Sequence, residues 1–276
     1  MNAAVLRYQA DIGIGGINVR LHSDSREFLD MLGQRYAGFL ESVAQADYEF
    51  DVYLQPPEGI SPDEDVSVFR RDHLWCLQRG DFRAEWDPSA RRGWIRQSPN
   101  PYSLDSVLRI VHSLILAREG GMLMHSSSAV RDGRAYLFAG VSGAGKTTMA
   151  RLAPADVDVL TDEMSYLRRE EQGYYAYGTP FAGDLARPGE NLRAPLAAVY
   201  LLAQGSENRI DEIRPADAVR GLLANILFFA QDRELVQAIF AAAIDLAERV
   251  PVRRLTFMPD ARVWELIGTN LSEGRC

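Results

Sequence analysis

Apolar and polar residues alternate in short runs through the first hundred positions, a pattern typical of β-strands. Between the first two runs, residues 25–43 carry apolar side chains at helical spacing, with Ser25 placed as an N-cap. Acidic or glycine-containing turns separate the later runs. This part of the chain therefore predicts a small β-rich α+β domain. Its strands are predicted at residues 17–22, 48–54, 74–77 and 92–97.

The apolar period becomes helical at residues 105–118, and Gly120 and Gly121 follow as a helix C-cap would. A cluster of Pro, Asn and Ser at residues 99–102 marks a boundary, so we predict domains at 1–100 and 101–276. Beyond the helix, strands and turns predominate. The predicted strands are 122–124, 127–131, 135–139, 157–160, 163–168, 174–177, 197–202 and 252–257, and the predicted helices are 216–229, 233–249 and 260–268.

Composition excludes several classes of protein. The chain has 276 residues, of which 47% are hydrophobic and 25% charged, enough for one substantial core and a smaller one. A net charge of −8 argues against nucleic acid or an anionic membrane as the main partner. Two distant cysteines, Cys76 and Cys276, give neither a disulfide framework nor a metal cluster. Because the N-terminus does not read as a signal peptide and residues 221–230 are too short to span a bilayer, we expect a cytoplasmic protein.

The strongest local signal is a glycine-rich run, GVSGAGKT at residues 140–147, which fits G-x-x-x-x-G-K-[ST] (Walker A) in full. It follows an apolar strand and precedes a helix-compatible run, a context that disfavours a chance glycine turn. Glycines let backbone N–H groups turn inward around phosphate oxygens. Lys146 would reach the β- and γ-phosphates of ATP, and the Thr147 hydroxyl would reach Mg²⁺. The predicted nucleotide contacts are Gly140, Ser142, Gly143, Ala144, Gly145, Lys146, Thr147 and Thr148.

Two carboxylates, Asp162 and Glu163, follow the short strand at 157–160. In a βαβ order with one short helix, that strand would lie beside the glycine run, so both carboxylates would reach the metal and the γ-phosphate. The short gap between the two motifs favours a compact kinase over a larger motor or transporter ATPase. The alternative is a solvated acidic pair at a strand end.

Other candidates carry weaker signals. His125 ends the apolar run before the glycine loop; a lone histidine there is more often structural, although contact with substrate or phosphate stays open. Arg187 and Arg193 could bring a further cation to the γ-phosphate, or they could simply be exposed. His112 lies on the apolar helix and is predicted to be packed.

Four segments of the chain, taken together, resemble the HPr-kinase-related proteins. They are residues 123–130, the run GVSGAGKTT, residues 159–163 and residues 178–181. That family shares a nucleotide site with ATP-dependent phosphoenolpyruvate carboxykinase. The resemblance covers about residues 121–202. The resemblance implies an α/β protein with a phosphoenolpyruvate carboxykinase-like P-loop core and a mixed sheet. The predicted order of strands around the glycine run also differs from the repeated βαβ units of a nucleoside kinase.

The resemblance also implies roles for the site residues. Lys146 and Thr147 match the phosphate and metal ligands, and His125 matches a histidine upstream of the loop. Asp162 and Glu163 match an acidic pair in which one member is the base and the other binds the metal. We assign Asp162 as the base, because Thr147, Glu163 and water can meet Mg²⁺, while Asp162 stays a further candidate ligand.

The sequence leaves the acceptor open. The arginine- and glycine-rich C-terminal signature of HPr kinases is not found, so the expected acceptor is a hydroxyl group of a peptide, protein or small metabolite. One alternative is a regulatory protein that binds ATP without phosphotransfer. Carboxykinase chemistry is disfavoured, because the chain shows no added Lys and His metal cluster. The resemblance is also compatible with a homo-oligomer.

Overall fold

The computed structural model describes residues 7–56 and 65–267, which form sixteen strands and six helices. The chain divides into two compact units, Met1–Ile115 with Phe228–Val236, and Leu116–Leu227 with Gln237–Cys276. The predicted boundary after residue 100 coincides with the start of helix α2 (Pro101–Glu119), whereas the units divide within this helix. Among the described residues, no helix is long and apolar enough to span a membrane.

The first unit contains one eight-stranded mixed sheet in the order β3-β1-β2-β4-β8-β7-β6-β5. The strands β2, β4 and β8 pair in parallel, and the other neighbours pair in antiparallel fashion. The helix α1 (Arg26–Arg35) lies wholly in this unit, which also includes residues 101–115 of α2. The strands are β1 (Tyr8–Ile14), β2 (Ile17–Ser23), β3 (Leu40–Glu41), β4 (Tyr48–Leu54), β5 (Ser67–Arg71), β6 (Leu74–Arg79), β7 (Phe82–Asp87) and β8 (Arg92–Gln97).

The helix α1 begins as predicted, since the Ser25 hydroxyl accepts a hydrogen bond from the Phe28 N–H. The prediction that it continues to residue 43 is wrong. The chain leaves the helix after Arg35, Gly38 adopts a left-handed φ of 86°, and Leu40–Glu41 pairs with β1. A strand partner on β1 therefore competes successfully with the helical apolar spacing of this segment.

The second unit contains a further eight-stranded mixed sheet, which confirms the prediction of a mixed sheet. Its path runs β10-β9-β12-β13-β14-β16-β15, β11 pairs with β9, and an additional β10–β14 pairing closes a ring of five strands. The strands are β9 (Met122–Arg131), β10 (Arg134–Ala139), β11 (Asp158–Thr161), β12 (Met164–Glu170), β13 (Gly173–Tyr177), β14 (Arg193–Gln204), β15 (Arg209–Glu212) and β16 (Val252–Phe257). The remaining helices are α3 (Lys146–Arg151), α4 (Pro215–Leu223), α5 (Arg233–Arg249) and α6 (Val263–Leu266).

Strand β9 organises this sheet. It is continuous where two strands were predicted, and it pairs in antiparallel fashion with β10, β11 and β12. Apolar side chains form one core cluster that includes Met124, Leu137 and Leu160, and a second that includes Phe138 and Trp264. Strand β9 thus brings the ends of several strands to one place.

Two predicted helices, α4 and α6, have different bounds in the structure, and one strand of the second sheet was missed. Helix α4 ends at Leu223, short of residue 229, because the following segment lies along β9, where the Asn225 carbonyl accepts from the His125 N–H. Strand β15 was not predicted. Helix α6 covers only Val263–Leu266, and residue 268 of the predicted helix lies outside the described residues, as do residues 1–6 and Cys276.

Candidate functional site

The glycine loop, residues 140–145, connects the end of β10 to the start of α3, so the predicted strand-loop-helix context is confirmed. Gly143 and Gly145 adopt left-handed φ values of 78° and 108°, which residues with a Cβ rarely adopt. The Ala144 N–H donates to the Val141 carbonyl at 3.0 Å, and the Gln204 amide donates to the Gly143 carbonyl at 2.7 Å. The loop is therefore folded into a compact turn, attached to the end of β14.

Packing adds a further requirement for glycine at two positions of the loop. A Cβ built at Gly145 would lie 2.5 Å from Cζ of Phe257, the last residue of β16. A Cβ at Gly140 would lie 2.7 Å from the Ala144 Cβ. These contacts explain why the loop needs glycine for space as well as for backbone conformation.

Lys146 is buried and points into the loop. Its Nζ donates to the Gly140 carbonyl at 3.0 Å and to the Val141 carbonyl at 3.2 Å. Burial lowers the pKa of Lys146, and the charges of Glu163 and Asp184 act in the opposite direction. The ammonium group therefore lies in a desolvated position near two carboxylates. It is also the only lysine in the sequence.

The backbone of Lys146 is anchored from β9. The Ser127 hydroxyl donates to the Lys146 carbonyl at 2.9 Å, and Ser127 is buried. Sequence reasoning missed this serine, since a buried hydroxyl in a strand gives no signal until its partner is known. Of the other predicted nucleotide contacts, Ser142 is exposed, and Thr147 and Thr148 are half-buried.

Asp162 and Glu163 lie between β11 and β12, opposite the serine-rich middle of β9. The flanking pairs are Thr161 with Ser128 and Met164 with His125. The strand that follows the glycine run, β11, does not pair with β10, because both strands pair with β9, from opposite sides. Both are antiparallel to β9, so their carboxyl ends still point in the same direction.

A hydroxyl turns the backbone at this point. The Thr161 Oγ1 accepts from the N–H of Glu163 at 3.2 Å and from the N–H of Met164 at 3.1 Å. This hydrogen bonding from a side chain to the following backbone is a common way to make a short turn. On the two sides of this turn, the adjacent carboxylates of Asp162 and Glu163 contact different partners.

The two carboxylates have different surroundings. Asp162 is 3% exposed, and its oxygens accept from the N–H of Gly183 at 3.0 Å and from the N–H of Leu185 at 2.9 Å. The side chain of Glu163 is 30% exposed, and its Oε1 lies 3.6 Å from His125 Nδ1. His125 is similarly accessible, at 36%. The structure thus brings His125 and Glu163 together at an open position and engages Asp162 in backbone hydrogen bonds.

Asp184 is a site residue that sequence reasoning missed. It lies between the two residues whose N–H groups bind Asp162, its side chain is exposed, and its charge opposes part of the lowering of the Lys146 pKa by burial. The available signal was a Gly-Asp pair one residue after the motif at residues 178–181, within the loop that joins β13 to β14.

A family comparison covers this whole site. The family model described as "SynChlorMet cassette protein ScmC" matches residues 100–272. The chain belongs to the ScmC family. The match spans every strand of the second sheet, from β9 to β16, and the description states no activity. No curated protein matches the chain.

The two arginine candidates of this ScmC-family chain have different positions. Arg193 forms an ion pair with Glu170 at 3.3 Å and lies over the Tyr175 ring at 4.9 Å. Arg187 is exposed and lines a cavity of about 120 Å³ together with Asp162. His112 is fully buried, as predicted for a packed residue.

Among the described residues of this ScmC-family chain, few side chains are placed to bind a metal ion together. Within residues 7–56 and 65–267, no three His, Cys, Asp or Glu side chains are close enough together to hold an ion by themselves. Of the predicted set, Asp162 has both oxygens engaged, whereas Glu163 is open and Thr147 is half-buried. These residues fit a cation that also binds phosphate oxygens, as Mg²⁺ does with nucleotides.

Proposed function

We propose that this chain is an ATP-dependent phosphotransferase, with a phosphoenolpyruvate carboxykinase-like core, that transfers the γ-phosphoryl group to a hydroxyl of a peptide, protein or small metabolite. The observation that carries the proposal is the buried side chain of Lys146, whose Nζ donates to two carbonyl oxygens inside a glycine loop that contains two glycines with left-handed φ. Phosphoryl transfer needs phosphate positioning, charge neutralisation and a group that orients or deprotonates the nucleophile. Each of these has a candidate residue here.

Nucleotide binding would use the glycine loop. Lys146 now donates to two neutral carbonyl oxygens, and a triphosphate would replace them with charged acceptors. Charge-assisted hydrogen bonds of this kind are about twice as strong as neutral ones. The fixed positions of Gly143 and Gly145 leave the loop backbone free to approach phosphate oxygens.

A magnesium ion bound with ATP would be met by Thr147 and Asp184. When bound, such an ion neutralises charge that develops on the transferred phosphoryl group. Asp184 is exposed and its charge acts on Lys146, so its carboxylate is available for this role. Glu163 and Asp162, both predicted from sequence as ligands, remain alternatives.

The geometry favours Glu163 over Asp162 as the base. A proton taken up by Asp162 would weaken its hydrogen bonds from Gly183 and Leu185, whereas Glu163 is open to an acceptor hydroxyl. The His125 ring, 3.6 Å away, would help to orient the Glu163 carboxylate. General-base catalysis by a positioned group typically contributes about 10²–10⁴-fold in rate.

Phosphotransfer assays with γ-labelled ATP test the proposal, using serine-containing peptides and small alcohols as acceptors. We expect Glu163→Gln to lower the transfer rate by about 10²-fold or more while ATP affinity stays within a few-fold of the unaltered protein. The control is Glu171→Gln, an exposed turn glutamate in the same unit, which should transfer normally. Transfer that is undiminished in Glu163→Gln would contradict the assignment.

The second candidate is an ATP-binding regulatory protein. The sparse metal donor set within the described residues favours it, because a binding-only site needs no complete catalytic cation site. Tight ATP binding without label transfer to any acceptor, and without ATP hydrolysis, would support this alternative.

A further inference from the structure

The loop at residues 178–192 is closed at its base by backbone hydrogen bonds. The Gly178 N–H donates to the Leu192 carbonyl at 2.9 Å, and the Gly189 N–H donates to the Thr179 carbonyl at 3.0 Å. A Cβ at Gly178 would lie 1.8 Å from the Glu190 carbonyl oxygen, and a Cβ at Gly189 would lie 1.6 Å from the Leu160 carbonyl oxygen. The base of this loop is therefore packed tightly, and only glycine fits at these two positions.

The tip of the loop is bound by the Asp162 side chain, in addition to the backbone hydrogen bond from the Ala186 N–H to the Gly183 carbonyl. Both oxygens of the buried Asp162 carboxylate accept backbone N–H groups, from Gly183 and Leu185. A Cβ at Gly183 would lie 2.9 Å from Asp162 Oδ2 and 2.9 Å from the Glu163 Cβ. The tip thus packs directly against the carboxylate pair, and Asp184 is held between the two hydrogen-bonded residues.

We propose that Asp162 is a positioning residue that fixes the loop tip and, with it, the position of Asp184. The idea rests on the proposed function, because it assigns a means of control to the same site. While Asp162 binds the two N–H groups, the Asp184 carboxylate stays near the ammonium group and the site is complete. When these hydrogen bonds open, Asp184 moves away with the tip while the base of the loop stays closed.

Backbone amide hydrogen exchange, measured by NMR without nucleotide, tests this proposal. In Asp162→Ala we expect the Gly183 and Leu185 amides to exchange about tenfold faster or more, because their acceptor is removed. Amides of β9 and β10 should be unchanged. The control is Asp184→Asn, which removes the neighbouring charge but leaves the Asp162 hydrogen bonds, and should keep both amides protected.

A second variant covers the case in which Asp162→Ala does not fold. Gly183→Ala pushes the tip away from Asp162 from the other side, and it should accelerate exchange at Leu185 in the same way. Unchanged protection of both amides in a folded Asp162→Ala variant would overturn the proposal. Because no nucleotide is present, failure of ATP binding would leave this result intact.

Once an acceptor has been identified, phosphotransfer assays distinguish a positioning role of Asp162 from a role as the catalytic base. If Asp162 positions the tip, raising the Mg²⁺ concentration should restore part of the activity of Asp162→Ala, because a displaced Asp184 weakens cation binding. If Asp162→Asn abolishes transfer at every Mg²⁺ concentration while loop protection is unchanged, Asp162 acts as the base and the positioning role is wrong.

Discussion

At the residue scale, the neighbours Asp162 and Glu163 show what a sequence can and cannot indicate. The chain order places both carboxylates after a short strand, and the structure brings Glu163 beside His125. Their different environments arise from residues 183–185, about twenty positions further along the chain, which bind only Asp162. Local spacing carries no information about such a contact. The assignment of one member as base therefore depends on tertiary structure.

The unique lysine permits a direct measurement of its ionisation. After reductive ¹³C-methylation, the only lysine signal comes from Lys146. We expect its pKa to lie below the usual value for lysine, since burial lowers the pKa, and to rise when ATP adds negative charge nearby. The measurement is an NMR titration with and without nucleotide. A pKa that is lowered further by ATP would contradict a phosphate contact.

The fit at Gly145 predicts a large cost of substitution. Gly145→Ala introduces both an unfavourable φ and a contact with Phe257, so we expect a loss of about 2–4 kcal/mol in unfolding free energy. Gly133→Ala is the matched control, because its φ is 70° but no atom lies within 4 Å of the added Cβ. Denaturant unfolding should show a smaller loss there, of about 1–2 kcal/mol. Equal losses would rule out the Phe257 contact as a cause.

At the scale of elements, periodicity predicts strands and helices where local preference and tertiary context agree. Strand β16 and helix α5 match their predicted bounds, and Ser25 caps α1. The misses occur where a distant partner decides. Leu40–Glu41 becomes a strand because β1 offers it a pairing edge, and residues 225–227 leave the helix because β9 binds them.

A cross-strand ion pair supports the first sheet and predicts a pH effect. Asp11 and Arg20 lie opposite each other on β1 and β2, and their side chains form two hydrogen bonds of 2.7 and 2.8 Å. The hydrogen bonds from Arg20 lower the pKa of Asp11. The resulting stabilisation is complete above the unfolded-state pKa of aspartate and is lost as pH falls through the lowered folded-state value.

Thermal unfolding across acidic pH checks this effect. Asp11→Asn should melt at a lower temperature than the unaltered protein at neutral pH, and the difference should shrink as pH falls. The control is Asp132→Asn, at the exposed turn between β9 and β10. A difference that grows on acidification would show that Asp11 is not stabilised in its charged form.

At the scale of the whole molecule, the mixed sheet of the second unit and the β-rich character of the first were predicted, whereas the path of the chain between the two units was not. The segment Phe228–Val236 belongs to the first unit, although it follows residues 116–227 of the second unit in the chain. Within that unit, Asp232 lies 3.9 Å from Arg70. The sequence of this segment, in which apolar residues are followed by charged ones, does not indicate which unit the segment belongs to.

Because Phe228–Val236 belongs to the first unit, the behaviour of a truncated chain can be predicted. A fragment of residues 100–276 keeps the matched family region but leaves Phe228–Val236 without residues 1–99 of its unit. We expect the fragment to melt at a lower temperature and to associate more readily than the full chain, because apolar surface is left uncovered. Calorimetry and light scattering measure both. A fragment as stable and monodisperse as the full chain would mean that the segment contributes nothing.

Titration calorimetry with MgATP on the unaltered protein and on Lys146→Met tests the central claim, that the glycine loop and its lysine bind a triphosphate. The exposed Arg134→Met in the same unit is the control for loss of a positive charge. We predict saturable binding by the unaltered protein and by Arg134→Met, and an affinity at least about tenfold weaker for Lys146→Met, the loss of one charge-assisted contact. Equal affinity in Lys146→Met, or no binding by the unaltered protein, would contradict the account.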